Sequence, residues 1–250
     1  MSTNYIEKVK KIRSSDLMAY WPLNEESGTV VLDVGPNGEN ATSASLVRIP
    51  STRGFAAPDG GRCAEFATTG SMIDIYGTFS ATIAVAEGTL MAWVAMPSTA
   101  LNSTTKQQIV ILAADTANAI GIDFDTTANR FSGDYFAGAA EATYSTTFGK
   151  LVYNDYWAAG RPLWHHLALV YSKAAAATVG SVVLYVDSVA STACATLGVW
   201  TGAFASTACS IGSTNPVTKT AGFTGHIAHV AWWKAPLTSA EVEELYKAGP

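Results

Sequence analysis

Short runs of β-branched and aromatic residues, set between clusters of Gly, Pro, Asn, Asp and Ser, punctuate this chain from end to end. That rhythm restricts it to strands joined by turns, the pattern of a β-sandwich or barrel. Runs of this kind occupy 18–22, 62–67, 71–76, 88–96, 107–114, 118–125, 129–136, 164–172, 180–187, 207–212 and 222–233. Over 181–187, Val182, Leu184 and Val186 alternate with Val183, Tyr185 and Asp187, so one face of that strand belongs to a core. Over 223–233, one face carries Phe223, Gly225, Ile227, His229, Ala231 and Trp233, the other Thr224, His226, Ala228, Val230 and Trp232. Neither set is plainly polar, which predicts a strand covered on both sides.

Helical signals are confined to the two ends. Thr238 with Glu241 three residues later forms a capping-box signature, and Val242, Leu245 and Tyr246 make an apolar stripe before Lys247 and Gly249. This helix is expected to pack across one end of the sandwich. At the other end, Lys8, Lys10, Lys11 and Arg13 interleave with Ile6, Val9 and Ile12 at helical spacing. Residues 1–16 therefore read as an N-terminal arm or short docking helix, with Tyr5, Ile6, Lys8, Val9, Lys11, Ile12 and Arg13 as its contact residues. Ala, Ser and Thr dominate 97–106, 174–179 and 188–208, which read as loops or weak edge strands. Nothing divides 17–250 into two units.

A hydrophobic fraction of 48% against 14% charged residues provides core material for one domain of this length. A net charge of −5 argues against a nucleic-acid partner, which needs a concentrated basic surface. Charged and glycine positions interrupt every apolar run before the roughly 18 residues needed to span a bilayer. The first residues lack the basic-then-apolar order of a secretory signal, so export by that route is not expected. Cys63, Cys194 and Cys209 are an odd, widely spaced set that reads as buried thiols. A Cys194–Cys209 bridge would require paired flanking strands that bring the two Cβ atoms to about 4 Å.

Several segments carry a family resemblance: Ala19-Tyr20-Trp21-Pro22-Leu23, the turn Glu26-Ser27-Gly28, the turn from Asp33 to Gly38, Trp164-His165-His166, Leu184-Tyr185-Val186-Asp187 and Gly225-His226-Ile227. In this order and spacing, about 17 to 248 resembles the laminin-G-like branch of the concanavalin A-like lectin/glucanase superfamily. The resemblance implies an all-β jelly-roll sandwich, closed by the short C-terminal helix and preceded by the N-terminal arm. Where the family has an acidic pair after Gly-x-Ile, this chain has Ala228-His229. Calcium, which takes six to eight oxygen ligands, is left with Asp33, Asn37 and carbonyls of the 35–38 turn as candidates. The competing reading is a tight turn in which Asp33 and Asn37 bond to the backbone.

Glucanases of the superfamily set their carboxylates in a Glu-x-Asp-x-Glu strand, and the nearest match here is Gly121-Ile122-Asp123-Phe124-Asp125. Gly121 removes the nucleophile, and retaining hydrolysis needs two carboxyls about 5 Å apart. Alternation with Ile122 and Phe124 makes Asp123 and Asp125 a solvated strand face. His165, His166, His226 and His229 lack metal-ligand spacing, and no phosphate loop or nucleophile elbow is present. No catalytic residues are expected.

The segment 151–161 gathers Tyr153, Asn154, Tyr156, Trp157 and Arg161 ahead of the Trp164 strand. Such a mixture fits a cap on the core, a protein interface, or a glycan site in which rings stack on sugar faces. The resemblance, with no catalytic set and no leader pattern, implies a non-enzymatic structural protein of a tailed-bacteriophage virion: a capsid decoration, head fibre or tail module. It would present a lectin-like sandwich on the particle surface for host attachment, with capsid or tail proteins as partners, residues 1–16 as the element that docks on the virion or on a sister subunit, and a symmetric, trimeric assembly. The alternative is a bacterial glycan-binding adhesion module at the cell surface, and after it a glycoside hydrolase.

Overall fold

The computed structural model describes residues 2–43, 47–48, 56–66, 71–76, 85–96, 106–126, 130–138, 140–145, 164–173, 179–205, 208–213 and 222–249. In chain order its first elements are α1 (Ser2–Lys11), β1 (Leu17–Trp21), β2 (Val30–Val31), β3 (Ala41–Ser43), β4 (Val47–Arg48), β5 (Ala64–Phe66) and β6 (Ile73–Asp74). The central strands are β7 (Glu87–Ala95), β8 (Gln107–Asp115), β9 (Asn118–Asp125), β10 (Arg130–Ala137) and β11 (Ala140–Ser145). There follow β12 (His165–Lys173), β13 (Val179–Val186), β14 (Val189–Ala190), β15 (Cys194–Thr196), β16 (Cys209–Ile211), β17 (Gly225–Trp233) and α2 (Ser239–Ala248).

Among the described residues the strands form two sheets, antiparallel throughout, so the all-β sandwich read from the sequence is the fold observed. The first sheet runs β14-β13-β12-β7-β17-β5-β4, with β1 on β17 and β15 on β13. The second runs β11-β10-β9-β8-β16-β6-β3-β2. Between them lies one apolar core, in which Trp21, Leu90, Leu169, Leu184 and Trp232 meet Val110, Ile122, Phe124 and Phe131.

The outer face of the first sheet carries a second apolar cluster of Tyr20, Met91, Trp93, Ala168, Ala231 and Trp233. Both helices cover it, through Tyr5, Val9 and Ile12 from the N-terminal segment and Val242 and Leu245 from α2. Two indoles of this face are satisfied from that segment: Trp93 Nε1 donates to Tyr5 Oη at 2.7 Å and Trp233 Nε1 to the Ile12 carbonyl at 2.9 Å. The N-terminal segment thus docks on its own sandwich, and its apolar stripe, expected to meet an outside partner, is buried within the chain. Its basic side is also engaged, Lys8 with Glu244 and Arg13 Nε with Glu241 Oε1 at 2.8 Å, while Lys11 is exposed and Ile6 half-buried.

The capping box of α2 forms as expected, with Glu241 N donating to Thr238 Oγ1 and Thr238 N to Glu241 Oε2. The helix lies on the face of the first sheet instead of its end, because the exposed apolar surface is on that face. β17 is buried along its whole length, in keeping with its two apolar faces. Its alternation breaks at a bulge after Ala228, where His229 takes φ 52°. Ile227, Val230 and Trp232 therefore share the inner core, while Ala228, Ala231 and Trp233 face the helices. The uniform two-face assignment over 223–233 fails beyond residue 228 for this reason.

Candidate binding groove

The helices cover the outer face of the first sheet, and a groove lies on the outer face of the second. Its central strands alternate cleanly: Ile120, Ile122 and Phe124 of β9 enter the core, so Ala119, Gly121 and Asp123 point outward. Cross-strand pairing sets these in rows, Ala113 opposite Ala119 opposite Phe136, then Ile111 opposite Gly121 opposite Asp134, then Gln108 opposite Asp123 opposite Ser132. Small residues at Ala113, Ala119 and Gly121 leave a trough between larger neighbours. The result is a groove of about 530 Å³ lined also by Lys106, Asp115, Thr116 and Ala208.

One wall of the groove is ionic. Lys106 Nζ lies 2.9 Å from Asp123 Oδ2 and in contact with Asp134, with Asp123 wholly buried and Asp134 nearly so. Asp123 is therefore not part of a solvated strand face, as its alternation suggests; it is wholly buried, with the Lys106 ammonium against it. Burial, then the charge of Asp134, pushes the Asp123 carboxyl well above the usual carboxylate range. Burial works against the Lys106 ammonium, yet the two carboxyls outweigh it and hold its pKa above the ordinary value. Two carboxyls thus converge on one lysine. Asp125, half-buried, sits 3.8 Å from Arg130.

Gly121 has a structural reason. A Cβ there would come within 2.7 Å of Gln108 Nε2 and 3.0 Å of the Val110 carbonyl. Gln108 Nε2 donates to the carbonyls of Val110 and Ile122, both at 2.9 Å, tying β8 across its bulge to β9. Asp134 of β10 is the register partner of Gly121.

The other candidate residues resolve into structural roles. Asp33 Oδ1 accepts from Tyr20 N and Gly35 N, and its Oδ2 from Glu39 N, each at 2.7 Å. Asn37 Nδ2 donates to the Met18 carbonyl at 2.8 Å. Both residues stitch a turn to β1, and the described residues contain no grouping of three or more His, Cys, Asp or Glu able to hold a metal. Calcium does not fit these residues. Asp187 clamps the start of β12, accepting from His166 N at 2.8 Å and meeting His165 Nδ1 at 2.7 Å. The two motifs Trp164-His165-His166 and Leu184–Asp187 thus meet at one corner of the first sheet. His229 links Tyr20 Oη, 2.8 Å from its Nδ1, to Asp59 Oδ1, 3.4 Å from its Nε2. Burial works against the Asp59 carboxylate, but the hydrogen bond and charge of His229 outweigh it and lower its pKa.

Cys63 and Cys209 are buried thiols, their pKa pushed up by burial to about 12, and Cys194 is half-buried. Cys194 lies on the first sheet and Cys209 on the second, so the strand pairing that a bridge would require is not there. Tyr153, Asn154, Tyr156, Trp157 and Arg161 lie outside the described residues. The groove residues Lys106, Gln108, Asp115, Asp134 and Phe136 were not among the candidates read from the sequence. The available signal was the alternation Ser132, Asp134, Phe136 against Phe131, Gly133, Tyr135, which places an acid and a ring on one outer face.

Fold and groove together define a lectin-like β-sandwich with a groove on the outer face of its second sheet. The sequence profile of the Laminin_G_3 family, concanavalin A-like lectin/glucanases superfamily, matches residues 69–243, and the chain belongs to that family. Among solved structures, a Trypanosoma rangeli sialidase in complex with sialic acid is similar with a TM-score of 0.60 and 15% identity. The match covers 94% of this chain and 33% of the sialidase. The receptor binding domain of botulinum neurotoxin type G is similar with a TM-score of 0.62 and 13% identity, over 93% of this chain and 51% of that one. This chain thus spans a third of one relative and about half of the other, and the likeness is one of fold. A comparison with curated proteins gives no match. No helix among the described residues is long and apolar enough to cross a membrane.

Proposed function

We propose that this protein is a non-hydrolytic recognition domain that holds a saccharide on the outer face of its second sheet. The observation that carries the reading is the groove itself. Its floor of Ala113, Ala119 and Gly121 is apolar and shallow, a half-exposed Phe136 flanks it, and Asp115, Asp134, Gln108 and Thr116 surround it with polar groups. Sugar rings pair an apolar face with peripheral hydroxyls, and such a surface answers both. Relatives of this fold that meet sialic acid or a receptor support recognition as the role.

The setting we propose is the surface of a tailed-bacteriophage particle, as a capsid decoration, head fibre or tail module. There the sandwich would serve host attachment alongside other virion proteins, as a symmetric trimer. A bacterial cell-surface adhesion module is the second reading and would use the same groove. Mass spectrometry of purified particles and light scattering of the isolated protein test the setting and the assembly; a monomer absent from particles overturns both.

A glycan array followed by titration tests the function. Phe136→Ala is expected to abolish binding while Trp157→Ala preserves it. The reverse result moves the site to 151–161, and silence across the array overturns the saccharide reading. Hydrolysis of any arrayed glycan that disappears in Asp123→Asn or Asp134→Asn would overturn the non-hydrolytic assignment.

A further inference from the structure

We infer that the groove selects sugars bearing a free amine and turns away sugars bearing a carboxylate, an inference that rests on the saccharide reading above. The charged residues among those described as lining it are Lys106, Asp115 and Asp134. Lys106 is already committed, its ammonium held between Asp123 and Asp134. No lining cation among the described residues is therefore left to receive an anionic substituent. Asp134 is 4% exposed, and its Oδ1 has no hydrogen-bond partner. Buried acceptors in that condition favour a donor brought by something else.

Asp115 supplies the second acid of the groove. It is exposed at the end of β8, and its Oδ1 accepts from Ala117 N at 2.7 Å and Asn118 Nδ2 at 3.0 Å. Those two hydrogen bonds hold its carboxyl below the usual range, so it keeps its charge in mildly acidic solution. Between the two acids runs the apolar strip of Ala113, Ala119 and Gly121 beside Phe136. A hexose laid on the strip has its C–H face against Phe136 and its ring substituents turned toward carboxylates. An ammonium there gains attraction and a donated hydrogen bond. An N-acetyl group loses the charge, and a uronic or sialic carboxylate meets repulsion from both acids.

The test is a titration of the full chain at mildly acidic pH with four probes: the β-1,4-glucosamine tetramer, its N-acetylated counterpart, cellotetraose and tetragalacturonate. The glucosamine tetramer is expected to bind about tenfold more tightly than cellotetraose, and tetragalacturonate not at all. Asp115→Asn and Asp134→Asn should each bring the amine preference to within about twofold of neutral sugar. Asp115 is exposed, so its substitution keeps the test informative even where Asp134→Asn disturbs Lys106 and lowers stability. Equal binding of the amine-bearing and neutral tetramers overturns the selectivity and leaves the saccharide reading standing. Failure of every probe, with the array also silent, overturns both. Competition by tetralysine as strong as by the glucosamine tetramer also overturns the inference, since charge alone would then account for binding.

Discussion

His166 is buried with its ring beside the stacked Trp93 and Tyr246, centroids 5.0 and 6.2 Å away, and neither ring nitrogen has a hydrogen-bond partner. Burial lowers its pKa from 6.5 to about 4, against the opposing pull of Asp187. A folded-state value below the unfolded one means that the unfolded chain takes up a proton first as pH falls. Stability is then lost progressively between about pH 6.5 and 4 and levels off below, a loss of roughly 3 kcal/mol at most. Urea unfolding at neutral pH and near the lower limit is expected to show this loss, with the His166→Leu variant losing less over the same interval. Gly121→Ala is expected to cost about 1–3 kcal/mol, because the Gln108 amide it would strike is held by two carbonyls and cannot yield freely. Denaturant midpoints measure that directly. Legibility at this scale follows sequence distance. The Thr238–Glu241 box and the Asp33 turn were readable because their partners lie within a few residues or in an adjoining motif. The burial of Asp123 was not, since Lys106 and Asp134 reach it from elsewhere in the sheet.

Among the elements, the N-terminal helix shows how a correct local reading leaves a partner undecided. Helical spacing of Ile6, Val9 and Ile12 identifies an amphipathic segment, and nothing in that spacing says which apolar surface it meets. The surface proves to be the outer face of the first sheet, where Tyr5 Oη accepts the Trp93 indole proton. Tyr5→Phe would leave that buried N–H without an acceptor, with an expected loss of about 1–3 kcal/mol. Thermal unfolding checks it, and a change near zero would remove the hydrogen bond from the account. The strands with strong alternation, β7, β8, β9, β12, β13 and β17, were all readable within a few residues. β2, β3, β4 and β14 were not, because two or three residues carry no period. The β17 bulge also escaped the pattern, since a period of two cannot announce the point where it slips.

For the whole molecule, the two helices add a third layer over the outer face of the first sheet. Removing residues 1–16 uncovers Trp93, Trp233 and Met91 together and takes away the ion pairs to α2. A fall in melting temperature of roughly 10 °C, with increased binding of a hydrophobic dye, is the expected outcome. An unchanged melting temperature would show that the helix adds nothing to the fold.

The amino-acid sequence by itself determined the sandwich, the placement of its long strands and the C-terminal cap. These rest on side-chain period, turn residues and short-range hydrogen bonds, all local quantities. Tertiary structure alone decided which outer face is closed, that Asp123 is buried against Asp134 and Lys106, and that Ala113, Ala119 and Gly121 line one trough. Each of these depends on register between strands and on what packs over them. Contacts made across a sheet join residues far apart in the chain, and no local pattern encodes their meeting.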